Sequence, residues 1–314
     1  MKVAVPSIMS QAGKDYLTSR GFELIETKSQ RADVLAKEAA DADGIILMTE
    51  PFPNRLAKQL PKLKVIARHG VGYDNVDTEF WAKQGVWVTI AKNANASTVA
   101  ETTLAAMMAI SKNLVPATEH MRQGDWGWTF AHPGFDLAGK TLGIIGYGRI
   151  GRMIAKKASA FDMKIIAYTP SNRSDGNAEM VDRDTVFKEA DIISLNMLVT
   201  PETTRSVGKR EFDMMKNSAV LLNFGRAALV DQEAMQTALK TGSIAAAAVD
   251  VFDDEPLPKD DPWLSTPNVL LTPHFAGNTK ECMDRMAVDA ASEVVRVLNG
   301  QKPQWNVNEP QAKN

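Results

Sequence analysis

The sequence contains one cysteine, Cys282, among its 314 residues. A single cysteine cannot form an internal disulfide, and it offers no second thiolate for a structural zinc site. No apolar stretch approaches the roughly 18 residues that a membrane span requires, and the first residues lack the charged and apolar regions of a secretory signal. We therefore expect a cytoplasmic protein that neither spans nor binds a membrane.

An excess of charge of one sign is also missing. The chain carries 36 Lys and Arg residues against 38 Asp and Glu residues, for a net charge of −2. This balance provides no basic field for a phosphate backbone, so nucleic acid is not an expected partner. The composition, 44% hydrophobic and 24% charged, is typical of globular proteins, and the length favours two domains of roughly 150 residues each.

Short β-branched runs alternate with longer helical patterns, which indicates βαβ units and parallel sheets. The fold class is therefore α/β. The predicted strands of a first, smaller domain are residues 2–6, 44–48, 64–67 and 86–90. Those of a second, doubly wound domain are residues 141–146, 164–168, 191–195, 219–223, 245–251 and 268–272. A long helix is predicted to begin near Ser97, and an amphipathic segment at 278–298 is predicted to return to the first domain.

A glycine-rich motif follows the first strand of the second domain. In GIIGYGRIG, Gly146, Gly148 and Gly151 form G-x-G-x-x-G between a strand and a helix. This pattern allows a tight turn, close approach to a diphosphate and close helix packing. The amides of Arg149 and Ile150 would then face the ligand at the helix N-terminus. The motif predicts a dinucleotide site.

The next strand of this domain ends in YTPSNR, without the expected acidic residue. An Asp or Glu about 20 residues past the glycines would bind the ribose hydroxyls of NAD, but Thr169 stands there. A hydroxyl does not repel a 2′-phosphate, and Ser171, Asn172 and Arg173 could bind one. We therefore favour NADP(H). The alternative is a solvated polar turn in a protein that uses NAD(H) with weak discrimination.

Three residues with catalytic potential each follow a predicted strand of the second domain: Arg226, Glu255 and His274. Ligands of open α/β sheets bind at the carboxyl ends of the strands, so these three loops could converge on one cleft. Each residue alone has an ordinary explanation: a surface arginine, a solvated acidic loop and a histidine that caps a helix.

Seven ordered segments between about Val65 and Thr279 resemble one family, the NAD(P)-dependent D-2-hydroxyacid dehydrogenases. This family includes phosphoglycerate dehydrogenase and glyoxylate/hydroxypyruvate reductase. The matching segments are RHGVGYDNVD (68–77), NASTVAETT (95–103), GKTLGIIGYGRIG (139–151), TPETT (200–204), LLNFGRAALVD (221–231), AVDVFDDEP (248–256) and TPHFAGNT (272–279).

The resemblance implies an oxidoreductase that interconverts a small 2-keto acid and a D-2-hydroxy acid, of the glyoxylate, hydroxypyruvate or 3-phosphoglycerate type. It implies a Rossmann-like doubly wound domain at residues 97–282. It also implies a smaller flavodoxin-like α/β substrate domain, formed by residues 1–96 and 283–314. Members of the family usually form homodimers. Since little sequence follows Trp305, we expect no added regulatory domain.

The resemblance also implies roles for individual residues. His274 matches the acid/base, Glu255 its partner carboxylate, and Arg226 the arginine that grips the substrate carboxylate and polarises its carbonyl. The backbone amides at Val71 and Gly72 would hold the same carboxylate from the first domain. The remaining matches concern the cofactor: Asp250 at the nicotinamide carboxamide, and Met197, Leu198, Phe224 and Gly277 along the groove, although apolar core packing would explain Leu198 equally well.

The sequence departs from the family pattern at Thr169, at Phe224 and Ala227 where small residues are common, and at Asn196 where His is frequent. An alternative function on the same fold is a nucleotide-sensing binding protein such as a corepressor, because fold does not determine function. A pure scaffold has no chemical need for the three catalytic side chains. A formate dehydrogenase would need an Asn and Gln pair that is not evident here.

Overall fold

The computed structural model describes residues 1–311. These form two compact units. Unit 1 comprises Met1–Asn95 and the described residues from Asn278 onward, and unit 2 comprises Ala96–Gly277. The second boundary lies earlier than the position we expected at residue 282, because the whole of the last long helix belongs to unit 1.

The regular elements alternate along both units. The strands are β1 (Lys2–Pro6), β2 (Glu23–Thr27), β3 (Gly44–Leu47), β4 (Val65–Arg68), β5 (Trp87–Ile90), β6 (Thr141–Ile145), β7 (Lys164–Tyr168), β8 (Glu179–Met180), β9 (Ile192–Leu195), β10 (Val220–Asn223), β11 (Ala246–Val249) and β12 (Val269–Leu271). The helices are α1 (Gln11–Thr18), α2 (Ala32–Glu38), α3 (Thr78–Lys83), α4 (Ala96–Ser111), α5 (Leu114–Arg122), α6 (Trp128–Ala131), α7 (Arg149–Ala158), α8 (Arg183–Glu189), α9 (Lys209–Met214), α10 (Gln232–Thr241) and α11 (Lys280–Leu298).

Unit 1 contains a five-stranded parallel sheet with the order β2-β1-β3-β4-β5. Its central strands β3 and β4 are buried along their whole length, as expected for a parallel sheet covered on both faces. Helices α1 and α11 pack closely, since a Cβ on Gly13 would lie 2.7 Å from the Ala287 Cβ. The glycine therefore allows the last helix to lie against the first.

Unit 2 contains a seven-stranded parallel sheet with the order β12-β11-β10-β9-β6-β7-β8. The order reverses at β6, which pairs with β7 on one side and with β9 on the other. Such a switch point opens a crevice at the carboxyl ends of its strands. Apolar side chains of α4 and α7 join those of β6 in one core cluster, which fixes α7 against the sheet.

The α/β class, the two parallel sheets and the long helix near Ser97 are confirmed by these elements. Two strands were not predicted, β2 and β8. Both are edge strands of their sheets: β2 is exposed at Glu23 and Glu26, and β8 has two residues. Partial exposure removes the apolar run that made the central strands recognisable. Among the helices of residues 1–311, none has both the length and the apolar character to cross a bilayer.

Candidate active site at the carboxyl edge of the seven-stranded sheet

The loops that carry the predicted site residues of unit 2 all leave the carboxyl ends of its parallel strands. The glycine-rich turn follows β6, and the loop from Thr169 follows β7. The loops after β9, β10, β11 and β12 bring in the other residues: Met197 and Leu198, Phe224 and Arg226, Asp250 and Glu255, and His274. One edge of one sheet therefore holds the predicted cofactor and catalytic residues together.

The glycine-rich turn has the geometry that a diphosphate requires. Gly146 has a φ of 97°, and a Cβ there would lie 2.6 Å from the backbone of Asn196. Gly148 is the N-cap of α7 in extended conformation, and a Cβ on it would meet nothing within 4 Å. Because a glycine N-cap has no side chain to occupy the first amides of α7, those of Arg149 and Ile150 remain suited to an anion. The chain fits a pyridine dinucleotide here.

The loop after β7 is compact and polar. Its first residue, Thr169, is half-buried and accepts a hydrogen bond at its carbonyl from the Asn172 N–H at 2.9 Å. Asn172 has a φ of 48°, so the chain reverses there. Ser171, Asn172 and Arg173 are exposed. The structure thus presents two neutral polar side chains and one cation beside Thr169, with no carboxylate at that position.

His274 and Glu255 form a direct pair. His274 Nδ1 lies 2.7 Å from Glu255 Oε2, and the Phe252 N–H donates to Glu255 Oε1 at 3.0 Å. Burial raises the pKa of Glu255, but the hydrogen bonds from His274 and Phe252 and the charges of His274 and Arg226 outweigh it, so the pKa lies below its ordinary value. The carboxylate is therefore ionised at neutral pH and holds the imidazole by Nδ1, which leaves Nε2 for proton exchange with a substrate.

The backbone at His274 is itself unusual. Its φ is 50°, and its N–H donates to the Thr272 carbonyl at 3.0 Å in a tight turn. A left-handed conformation is uncommon for a residue with a side chain and is enriched at functional sites. This turn aims the imidazole back toward the β11 loop that carries Glu255.

Arg226 follows β10 and lies near enough for its charge to lower the pKa of Glu255. Its backbone is fixed by Asn223, a buried residue whose side-chain amide donates to the Arg226 carbonyl at 3.0 Å and accepts from the Gly225 N–H at 3.2 Å. Within unit 2, His274 and Glu255 are in direct contact, and the Arg226 charge acts on Glu255.

Asp250 has a structural role that the sequence did not reveal. Its carboxylate is fully buried and accepts hydrogen bonds from the Thr272 hydroxyl at 2.6 Å and from the N–H groups of Phe275 at 2.9 Å and Ala276 at 3.0 Å. Burial raises the pKa of Asp250 despite these bonds. Asp250 thus holds the turn at His274 by hydrogen bonds to residues before and after it in sequence.

The apolar residues predicted to line the cofactor groove differ in burial. Leu198 is 66% exposed, so core packing does not explain it. An exposed leucine at a sheet edge is suited to contact with a flat ligand. Met197 is half-buried against one core cluster, and Phe224 is 7% exposed inside another. Packing therefore accounts for Phe224. Gly277 is half-buried at the end of the His274 loop.

In unit 1, Val71 and Gly72 lie in the loop after β4. The buried Arg68 holds this loop: its Nε donates to the Gly72 carbonyl at 2.8 Å, and its Nη1 donates to the Leu47 carbonyl at 2.6 Å. Leu47 ends β3, so Arg68 joins the loops after two neighbouring strands. Next to it, burial lowers the pKa of His69 to about 4, and the imidazole is neutral at physiological pH.

Arg68 and Asn223 were not among the predicted site residues. Both act on main-chain groups, so neither stands out as a reactive group in the sequence. An arginine inside the apolar strand VIAR and an asparagine at the end of VLLN were the available indications, because buried polar side chains need partners.

Comparison with known proteins agrees with this geometry. Residues 104–276 match the profile of the NAD binding domain of D-isomer specific 2-hydroxyacid dehydrogenases. The match covers more than half of the chain, and full-length relatives agree with it. The chain belongs to the D-isomer specific 2-hydroxyacid dehydrogenase family.

Three relatives illustrate the likeness. A glyoxylate reductase of Korarchaeum cryptofilum is 36% identical over 285 residues, which cover 88% of this chain and 86% of the relative. A D-3-phosphoglycerate dehydrogenase of Methanocaldococcus jannaschii is 38% identical over 99% of this chain but only 60% of the relative. The crystal structure of an NADPH-dependent glyoxylate/hydroxypyruvate reductase of Sinorhizobium meliloti, in complex with NADP and malonate, has a TM-score of 0.87 and 28% identity, with 99% of both chains covered.

Proposed function

We propose that this protein is an NADPH-dependent reductase of glyoxylate, hydroxypyruvate or a similarly small 2-keto acid. The chain is an NAD(P)-dependent dehydrogenase of its family, and the reaction is hydride transfer between NAD(P)H and a 2-keto acid. The observation that carries the proposal is the 2.7 Å contact between His274 and Glu255 beside Arg226, on the same sheet edge as the glycine-rich turn.

The residues that would hold the dinucleotide lie in unit 2, and unit 1 is proposed as the substrate domain. The amides of Arg149 and Ile150 would bind the diphosphate. Exposed Leu198 and half-buried Met197 would face the nicotinamide end. When bound, the reduced nicotinamide supplies the hydride that reduces the keto carbon.

The remaining chemistry belongs to side chains of this chain. The ketone oxygen needs a proton as its carbon is reduced, and His274 Nε2 would donate it. Glu255 fixes the orientation of the imidazole through Nδ1. In the reverse direction the same nitrogen would accept the hydroxyl proton. Asp250 keeps the turn in place through Thr272 and the Phe275 and Ala276 amides.

The substrate carboxylate calls for a fixed positive group. Arg226 supplies a planar guanidinium that can pair with a carboxylate and polarise the adjacent carbonyl. The amides of Val71 and Gly72 are proposed as the matching donors of unit 1, on a loop that Arg68 holds. An ammonium could not reproduce the two-pronged contact of the guanidinium.

The preference for NADPH rests on the loop after β7. Thr169 stands where an acidic residue would repel a 2′-phosphate. The exposed Ser171, Asn172 and Arg173 offer hydrogen-bond donors and a positive charge. A phosphate monoester binds such groups through charge-assisted hydrogen bonds. The relative of Sinorhizobium meliloti was solved with NADP, which is in line with the proposal.

A purified-protein assay of cofactor oxidation tests the function. Glyoxylate, hydroxypyruvate, pyruvate and 3-phosphohydroxypyruvate would each be offered with NADPH and with NADH. We expect turnover with the small keto acids and a higher kcat/KM with NADPH. Equal or better use of NADH would overturn the cofactor preference. Cofactor binding without turnover of any keto acid would favour a nucleotide-sensing corepressor.

We also propose that the protein is a homodimer through unit 2. Large apolar side chains are exposed on α5, α6 and the segment between them, including Trp126 at 70% and Phe130 at 81%. Exposed apolar groups of this size are typical of protein interfaces. Sedimentation should show a dimer that Trp126→Asp with Phe130→Asp dissociates. Ile8→Asp, at an exposed isoleucine of unit 1, should leave it intact.

The proposal includes a cytoplasmic location. Cys282 is a buried free thiol, a state that reducing compartments preserve. Detection of the untagged protein by fractionation and immunoblotting would test this point.

A further inference from the structure

Tyr147 lies inside the glycine-rich motif, between Gly146 and Gly148, yet its side chain leaves the turn. The ring is 2% exposed and packs in the core cluster of unit 2 that also contains Phe224. Its hydroxyl donates to Asp175 Oδ1 at 2.7 Å. Asp175 belongs to the loop between β7 and β8, which is the loop that carries Thr169, Ser171, Asn172 and Arg173.

Other hydrogen bonds shape this loop from within. The Asn172 N–H donates to the Thr169 carbonyl at 2.9 Å, and the Asn177 N–H donates to Asp175 Oδ1 at 3.2 Å. Gly176 has a φ of 85° and donates its N–H to Ser174 Oγ at 3.1 Å. These bonds join residues within the loop. The bond from Tyr147 instead connects the loop to the core, because the ring that carries the hydroxyl is buried there.

The electrostatics of the pair agree with an ionic hydrogen bond. The hydrogen bond from Tyr147 lowers the pKa of Asp175, with smaller help from the Asn177 N–H and the Arg152 charge. Burial, followed by the bond to Asp175, raises the pKa of the Tyr147 phenol. The Arg152 guanidinium lies 5.8 Å from the centre of the Tyr147 ring. Tyrosine thus stays protonated as the donor, and its acceptor is a carboxylate, so the bond is of the stronger, charge-assisted kind.

We propose that Tyr147 is a positioning residue for cofactor specificity: it ties the loop that would bind the 2′-phosphate to the turn that would bind the diphosphate. The inference rests on the proposed NADPH preference. The diphosphate and the 2′-phosphate belong to one NADPH molecule. The glycine-rich turn and the loop after β7 must therefore be held at a fixed separation to bind both groups. With the anchor in place, Arg173 and its neighbours are ordered before the cofactor arrives, and less entropy is lost on binding.

Tyr147→Phe removes the hydroxyl and keeps the ring, so the core packing is retained. Losing a charge-assisted hydrogen bond should raise the Kd for NADPH roughly tenfold. The Kd for NADH, which has no 2′-phosphate, should change less than about twofold, and kcat at saturating NADPH should stay unchanged. Tyr16→Phe, in α1 of unit 1, is the matched control. Equal weakening of both cofactors would overturn the inference.

A second readout does not depend on activity or on the cofactor. Amide hydrogen exchange of the peptide from Thr169 to Ala178 should be faster in cofactor-free Tyr147→Phe than in the native protein. In an Asp175→Ala background the same tyrosine change should add nothing, because the two residues act through one bond. Unchanged exchange in Tyr147→Phe, or an equal increase in the Asp175→Ala background, would overturn the anchor.

The two readouts separate the inference from the function on which it rests. If the native protein shows no preference for NADPH, this result alone overturns the proposed cofactor preference. The specificity role of Tyr147 is then overturned as well. If the native protein prefers NADPH and the variant loop exchanges faster without loss of NADPH affinity, the cofactor preference stands and the specificity role of Tyr147 is overturned.

Discussion

Units 1 and 2 both send loops from the carboxyl edge of a parallel sheet, but they hold those loops with opposite charges. In unit 1 the buried cation Arg68 binds carbonyl oxygens at Gly72 and Leu47. In unit 2 the buried carboxyl group of Asp250 accepts hydrogen bonds from the Thr272 hydroxyl and from the N–H groups of Phe275 and Ala276, and Glu255 holds the imidazole. Arg68 thus fixes the main chain that we propose for the substrate carboxylate, whereas the carboxyl groups of Asp250 and Glu255 fix the imidazole that we propose as the acid/base.

The contrast predicts that the unit 2 site controls the chemical step and that the unit 1 loops control substrate affinity. The most severe test is His274→Ala. We expect kcat to fall by roughly 10²–10⁴, the usual range for losing a general acid/base. Cofactor affinity should change little, because the glycine-rich turn after β6 and the loop after β7 are not altered. Stopped-flow oxidation of NADPH measures the rate, and His120→Ala is the control. Turnover near the native value would remove His274 from the mechanism.

Arg226→Lys is a second test of the unit 2 site. The lysine keeps the charge but not the planar two-pronged geometry, so we expect kcat/KM for the keto acid to fall roughly 10- to 100-fold. Steady-state kinetics would show whether kcat falls with it. A rise in KM with kcat unchanged would make Arg226 a binding residue only. Arg20→Lys in unit 1 controls for general effects of the exchange.

The counterpart in unit 1 is Arg68→Lys. An ammonium cannot span the carbonyls of Gly72 and Leu47, so the loop that carries Val71 and Gly72 loses part of its attachment to β3. We expect KM for the keto acid to rise about tenfold, whereas the Kd for NADPH and kcat stay close to native values. Circular dichroism and thermal melting establish that the variant is folded. A loss confined to kcat would contradict the division of labour between the units.

The central strands and the reactive residues could be predicted from the sequence, because buried parallel strands are continuous apolar runs and the family motifs are local. Arg226, Glu255 and His274 were found in this way, and the structure brings them together. The anchors were not found. Arg68, Asp250 and Tyr147 act on segments that are distant in sequence or on main-chain groups, and no local pattern records which carbonyl or carboxylate a side chain will reach.

A smaller effect is expected from a buried carboxyl group of unit 1. Glu293 in α11 is 1% exposed and accepts the N–H groups of Gln304 and Trp305. Burial raises its pKa. Its contribution to stability is therefore complete below the pKa of an unfolded glutamate, about 4.3, and is lost as the pH rises through the higher folded value.

Glu293→Gln should accordingly flatten the fall of Tm with rising pH above about 4.3, with a gain of roughly 1–3 °C over the native protein at neutral pH. Differential scanning calorimetry at several pH values measures this, and Glu23→Gln, at an exposed residue, is the control. A steeper pH dependence in the variant would show that the carboxylate is stabilised in its ionised form.

The most direct test of the central claim is the single-turnover rate of NADPH oxidation by glyoxylate in the native protein and in Glu255→Gln. The account predicts a rapid single turnover in the native protein. In the variant it predicts a rate slower by about tenfold or more, because the neutral amide cannot form the ionic hydrogen bond that holds the imidazole by Nδ1, with NADPH affinity retained. Equal rates in the two proteins would contradict the claim that the Glu255–His274 pair supplies the proton.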